Sequence, residues 1–333
     1  MEQIAFISGN TFIYWSPIVV ALAATAGAAI YAAFYLNKSN NFLAMGLSIL
    51  MSVLLAIPLA RMIHWYCYPA NYADFKTAMT DYTTGSYALL GAFAACLLVA
   101  CLLRLVRISS NLPQMLDSMA IGGGVGISLG RLASLFNVTD RGMILPESVE
   151  FPFASTITNA VSGAQENRLA TFMLQSGVTG VIVILLVLFM LVQKLRKKKI
   201  ADGEISLIFL LAYGASQALC DSMRYDKMFF RSNGFVGMVQ IMGLVGMLIP
   251  IVLFSVRMVK SRGIKPWQFG IWTGILGLLG LAGYMEYFVQ RNGHRAATAY
   301  SIMGASLLGV VILGLVVRAL IQKKSTYSGE HLN

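Results

Sequence analysis

The chain has 333 residues, of which 57% are hydrophobic and 12% charged, with a mean hydropathy of +0.72 and a formal net charge of +11. Soluble domains carry about 25% charged residues, so this composition excludes a water-soluble globular protein and indicates a polytopic membrane protein. The basic excess does not read as a nucleic-acid surface, because much of it lies in short loops between apolar runs, where it reports topology.

A membrane-spanning helix needs roughly 20 apolar residues to cross about 30 Å of hydrocarbon. The sequence predicts nine such spans, at about 12–35, 43–66, 85–106, 113–136, 169–193, 204–223, 235–256, 267–289 and 297–321. Each run is too long and too evenly apolar for the alternating strands of a membrane barrel, so the expected fold class is an all-α helical bundle. Glu2 precedes the first run with no Lys or Arg before it, so that run reads as a span and not as a cleaved signal peptide. Cys67, Cys96, Cys101 and Cys220 lack metal-ligand spacing and read as packing residues; no metal or other cofactor is expected.

With the N-terminus outside, one set of loops and span ends collects Lys38, Arg104 and Arg107, the run Lys194–Lys199, Arg257 to Lys265, and Arg318, Lys323 and Lys324. By the positive-inside rule that side is cytoplasmic, which leaves the C-terminus inside. The remaining basic residues on the outward side are mostly arginines: Arg61, Arg131, Arg141, Arg168, Arg224, Arg231, Arg291 and Arg295, with Lys76 and Lys227. Arginine presents a planar fork suited to phosphate or carboxylate, so this bias fits an oxyanion ligand.

Arg131 follows the glycine-rich stretch Gly122-Gly-Gly-Val-Gly126 inside an apolar run. A guanidinium near the centre of a span costs about 2.5–3.5 kcal/mol and usually faces the bundle interior. Arg131, Arg168 and Arg224 therefore read as functional cations meeting in an outward cavity with shared acids such as Asp221, whereas Arg61, Arg291 and Arg295 read as structural ion pairs. The glycines predict close approach of the fourth span to a neighbour, with a broken helix as the alternative. Segment 137–168 is the longest polar interruption and reads as an arm or cap over that cavity.

These residues resemble the prolipoprotein diacylglyceryl transferases, bacterial membrane enzymes. The family signature runs from an Asp to a Gly-Arg fourteen residues on, as Asp117 and Arg131 do. It continues through Gly-Asn-Phe-x-Asn-x-Glu and a Gly, where this chain has Ala133, Ser134, Leu135, Asn137, Thr139 and Gly142. A later Arg-His-Pro-Ser-Gln-Leu-Tyr-Glu is similar to Arg168 through Thr171 to Gln175. Tyr-Gly-x-x-Arg-x-x-x-Glu-x-x-Arg resembles Tyr213-Gly214 through Gln217 and Asp221 to Arg224, and Gly-x-x-Gln resembles Gly237 to Gln240. In the third span Gly-Gly-x-Ser-x-His-Gly is similar to Gly85-Ser86-Tyr87-Ala88, and the family's Trp-Tyr to Tyr14-Trp15. The likeness covers about residues 12–256 as a seven-helix domain, leaving 257–333 as a two-helix hairpin and cytoplasmic tail.

The resemblance implies transfer of the diacylglyceryl group of phosphatidylglycerol to a lipobox cysteine thiol at the bacterial cytoplasmic membrane. The partners would be a phospholipid and a lipoprotein-precursor signal peptide. It carries catalytic roles onto Arg131, Arg224, Asp221 and Tyr87. Substrate contacts fall to Arg168, Ser86, Ser134, Asn137, Gly142, Gln217, Gln240, Tyr14 and Trp15. Two departures stand out: Ala88 replaces the family's histidine and Gln217 an arginine, so restoring both is expected to raise a low rate. His64 is a substitute base only if it is more than an interfacial packing residue. The alternatives are a repurposed homologue that binds phospholipid or precursor without this reaction, and a transporter of an anionic solute, for which no inverted repeat is visible.

Overall fold

The structure, a computed structural model, describes residues 3–8, 11–81, 87–109, 111–159, 162–231 and 234–327. The helices in chain order are α1 Trp15–Lys38, α2 Phe42–Cys67, α3 Phe75–Thr80, α4 Leu89–Leu105 and α5 Leu112–Gly130. They are followed by α6 Thr171–Leu195, α7 Glu204–Ser222, α8 Met238–Arg262, α9 Pro266–Arg291 and α10 Ala296–Tyr327. Among the described residues eight helices are long and apolar enough to cross a membrane, and α4 is a shorter apolar helix of 17 residues. The chain is a polytopic helical membrane protein, and each of the nine sequence-predicted runs falls on one of these helices. Helices satisfy every backbone donor and acceptor internally, which hydrocarbon demands.

Two antiparallel hairpins escaped the sequence reading: β1 Ile4–Ser8 with β2 Thr11–Tyr14, and β3 Ala154–Thr158 with β4 Gln165–Leu169. Their strands are four or five residues long, far below the window that detects a span. The first hairpin moves the start of α1 from the expected residue 12 to Trp15. The second organises the polar arm, where Gly142 N donates to Leu169 O at 2.8 Å and Leu145 N to Asn167 O at 2.8 Å.

Packing divides the chain into two units. One comprises residues 1–206 and 224–239, the other 207–223 and 240–333. Helices α7 and α8, which the family pattern groups with the first five spans, thus pack with α9 and α10.

In the first unit α1 and α5 touch backbone to backbone. A Cβ placed on Gly122 would lie 2.5 Å from Gly27 O and 2.6 Å from Tyr31 Cβ, and one on Gly27 would lie 2.7 Å from Gly122 O. The glycine stretch therefore sits in an unbroken helix that uses its missing side chains to approach a neighbour. Helices α2 and α4 meet as tightly, since a Cβ on Gly91 would fall 2.2 Å from Ala60 N, and Ala88 N donates to Ala60 O at 3.2 Å. At the Lys38 end of the unit Asp117 accepts from Gly203 N at 2.9 Å and Ser206 N at 2.8 Å, with Lys38 Nζ 3.9 Å away. The signature's aspartate is thereby tied to the start of α7, fourteen residues before Arg131 and roughly 21 Å from it along the helix.

In the second unit α7 and α8 cross at Gly214 and Gly243, where a Cβ on Gly214 would lie 2.4 Å from Gly243 O. Leu211, Ala215, Met247, Ile251, Met303, Leu307 and Val310 fill its core. At the end of α7 the Ser222 hydroxyl donates to Glu286 and Tyr300 Oη donates to Ser222 O at 3.0 Å, so both α9 and α10 bond its last residue.

Gly122→Ala is expected to destabilise the protein in detergent by about 1–3 kcal/mol, the usual range for overpacking. Gly123→Ala, where no atom lies within 4 Å of the new Cβ, should leave thermal unfolding almost unchanged. Equal melting temperatures for the two variants would remove the α1–α5 contact as the reason for the glycines.

Candidate active site at the arginine end of the bundle

Helix α5 ends at Gly130, and the chain tightens into a 3-10 turn over Arg131–Phe136. Asn137 then accepts from Thr139 N at 3.0 Å and Thr139 Oγ1 at 2.7 Å, turning the chain back so that Asp140 faces the end of α5. Asp140 holds φ +57°, a left-handed conformation that Asp tolerates better than most side chains. Arg141, fully buried, secures this turn by donating to Thr139 O at 2.7 Å, Ser134 O at 2.9 Å and Asn137 O at 3.1 Å, and its guanidinium lies 4.3 Å from the Phe172 ring centre.

The Asp140 carboxylate is the hub. Arg131 Nη1 lies 3.1 Å from both its oxygens, Arg224 Nη1 lies 2.8 Å from Oδ1, and Ser134 Oγ donates to Oδ2 at 2.8 Å. Asp226 completes the network, accepting from Arg224 Nε at 3.0 Å and from Asp140 N at 3.0 Å. Burial alone would raise the Asp140 carboxyl, but the Arg131 and Arg224 guanidiniums and the Ser134 hydroxyl hold it down at about 2. Arg131 Nε is buried and has no hydrogen-bond partner among the described residues. Three guanidiniums, counting Arg141, gather around this turn, two of them on the Asp140 carboxylate.

A second polar cluster lies where α2 ends and the segment 68–81 begins. Arg61, fully buried, donates from Nε to Ala78 O at 2.9 Å and from Nη1 to Tyr72 Oη at 3.3 Å. His64 Nδ1 and Tyr72 Oη are 2.7 Å apart. Arg61 also lies 5.4 Å from the Tyr87 ring centre, and Tyr87 with Val53, Leu54, Ile57 and Pro58 lines an open apolar groove of about 440 Å³.

Among the expected site residues, Arg131, Arg224 and Ser134 meet at Asp140. Asn137 Nδ2 donates to Ser16 Oγ at 3.2 Å, beside Trp15, whose ring packs 5.9 Å from Phe136; Tyr14 precedes it at the end of β2. Arg168 stands outside the Asp140 network. It pairs with Glu166 at 2.6 Å, donates to Gly142 O at 3.2 Å and covers the Tyr225 ring at 4.4 Å. Asp140 is an acid that Arg131 and Arg224 share, because the turn after Arg131 folds its own carboxylate back onto the guanidinium. Asp221, Gln217 and Gln240 are buried within the second unit, and their carry-over rests on motif alone. Ser86 lies outside the described residues. Arg61, expected to form an ion pair, donates to backbone carbonyls and a phenol. Sequence reasoning missed Asp140, Asp226 and the Tyr72–His64 contact; the one available signal was that Asp140 stands beside Thr139, where the resembled motif has Glu.

Asp140→Asn should destabilise the protein by roughly 3–5 kcal/mol, because it removes the charge of a buried carboxylate on which two guanidiniums converge. In the unmodified protein the Asp140 contribution is complete above about pH 4, the ordinary Asp value, and is lost as the pH falls through about 2. Acid unfolding in detergent should show that loss, and Asp140→Asn should lack it.

The sequence profile of the prolipoprotein diacylglyceryl transferases matches residues 3–256. A phosphatidylglycerol–prolipoprotein diacylglyceryl transferase of Bacillus licheniformis is 23% identical over 279 residues, covering 80% of this chain and 97% of that protein. With the profile spanning most of the chain and the signature arginine at the centre of its polar network, the chain belongs to the prolipoprotein diacylglyceryl transferase family.

Proposed function

We propose that this protein transfers the diacylglyceryl group of phosphatidylglycerol to the cysteine thiol of a lipobox, at the outer face of a bacterial cytoplasmic membrane. The arginine end of the bundle is then outward and the Lys194–Lys199 end cytoplasmic, as the distribution of basic loops supports. The observation that carries the reading is the buried Arg131 Nε donor, without a hydrogen-bond partner among the described residues, beside the Arg224 guanidinium. A phosphodiester carries one negative charge and needs donors, so its phosphate fits this site in sign. Buried arginine donors strengthen against an oxyanion as charge develops on the departing phosphate. Ser134 and Asp140 fix the guanidiniums, and Arg168 with Gly142 shapes the arm beside them.

Incubation of the purified protein with labelled phosphatidylglycerol and a lipobox peptide is expected to give the thioether product. Arg131→Ala should lower the rate by about 10²–10³-fold, the usual effect of losing one oxyanion donor. Phospholipid binding without transfer, under conditions in which the Bacillus licheniformis relative turns over, would replace this reading with that of a lipid-binding homologue.

A further inference from the structure

A thiol, with an ordinary pKa of about 8.5, attacks well only after losing its proton, and among the described residues the arginine network shows no neutral base to take it. Ala88, which stands where the resembled motif has histidine, is fully buried against α2, its N–H bonded to Ala60 O at 3.2 Å. One turn further along α2, about 5.4 Å along its axis, stands His64, 5% exposed and in contact with Tyr72.

We infer that Tyr72 and His64 form the proton-accepting pair for the attacking thiol, with Arg61 stabilising the phenol oxygen between them; this rests on the transferase reading above. The geometry is that of a relay. His64 Nδ1 lies 2.7 Å from Tyr72 Oη, and the two rings meet edge to face at 5.8 Å and 85°. Arg61 Nη1 donates to the same oxygen at 3.3 Å, and its guanidinium stacks 5.0 Å from the Tyr72 ring centre. Negative charge gathering on the phenol oxygen therefore meets a fixed cation that is itself held by the carbonyls of Ala78 and Asp81. An ionisable side chain inside a span is functional by default, and a cation, an imidazole and a phenol sharing one oxygen exceed what packing requires.

The pair is joined to the phosphate site by a short path. Tyr68 tilts against His64 at 5.1 Å between ring centres, and its hydroxyl donates at 2.6 Å to the carbonyl of Lys227, three residues after Arg224. The segment that brings Arg224 to Asp140 is thus bonded to the end of α2 that carries His64. In the reaction the thiol proton passes to Tyr72 Oη while the Tyr72 proton passes to His64 Nδ1. The sulfur pair forms the S–C bond to the glycerol carbon as the C–O bond to phosphate breaks. The released pair stays on the phosphate oxygen, the glycerol phosphate leaves as an anion, and His64 later returns its proton to water.

The test uses the full-length protein in detergent, labelled phosphatidylglycerol, and two lipobox peptides that differ only in carrying cysteine or selenocysteine. A selenol ionises at neutral pH without a base. His64→Gln and Tyr72→Phe should each lower transfer to the cysteine peptide by about 10²-fold or more. The same variants should stay within a few-fold of the unmodified protein on the selenocysteine peptide, and phosphatidylglycerol should still raise their melting temperatures. Equal losses on both peptides would assign the two residues to folding alone and overturn the inference. Undiminished transfer to the cysteine peptide would also overturn it. Absence of transfer by the unmodified protein to either peptide would overturn the transferase reading itself, and the pair's role with it.

Discussion

A guanidinium at the edge of hydrocarbon must find an anion or remain unstable, and here two of them find the same one. Asp140 lies between Arg131 and Arg224 with its carboxyl held at about 2, so it is ionised throughout the range in which the protein would work. Because a buried charge without its partner costs several kcal/mol, this carboxylate fixes the end of α5, the turn that follows and the segment after α7 relative to one another. The loop over residues 137–141 takes its path, including a left-handed residue, from the need to deliver that carboxylate.

The helices supply the frame that makes the delivery repeatable. Within the first unit, close contacts at Gly27 with Gly122 and at Gly91 with Ala60 leave little freedom for sliding. The opposite end is tied by Asp117, which accepts from two backbone N–H groups at the start of α7. The acids on either side of Arg131, Asp117 on α5 and Asp140 in the turn after it, thus do different work: Asp117 anchors the frame and Asp140 orients the arginines. Their separation along the chain places structure and chemistry at opposite ends of the same unit.

How much of this was legible depended on the kind of signal. The nine apolar runs predicted the apolar helices found among the described residues because hydrocarbon thickness imposes a length that composition reveals directly. Arg131 and Arg224 stood out because charge in such a background is costly. The strands were invisible, being short and not periodic over a long window, and Asp140 did not stand out as the link between Arg131 and Arg224. An acid one turn away on a helix is the natural guess; Asp140 comes from a loop whose reversal depends on Asn137 and Arg141 bonding backbone atoms. No sequence spacing encodes such a reversal.

His64 shows the same limit from the other side. In sequence it is a lone histidine near the end of a span, which ordinarily means packing. Only the fold of the 68–81 loop sets the Tyr72 hydroxyl against its ring nitrogen and the Arg61 guanidinium against the same oxygen. The sequence by itself determined the membrane class, the number of apolar helices and the residues whose charge demanded explanation, since these follow from local composition and transfer free energy. Tertiary structure alone decided which carboxylate meets which guanidinium and which phenol meets the imidazole, because those pairings depend on loop geometry and helix contacts between residues far apart in the chain.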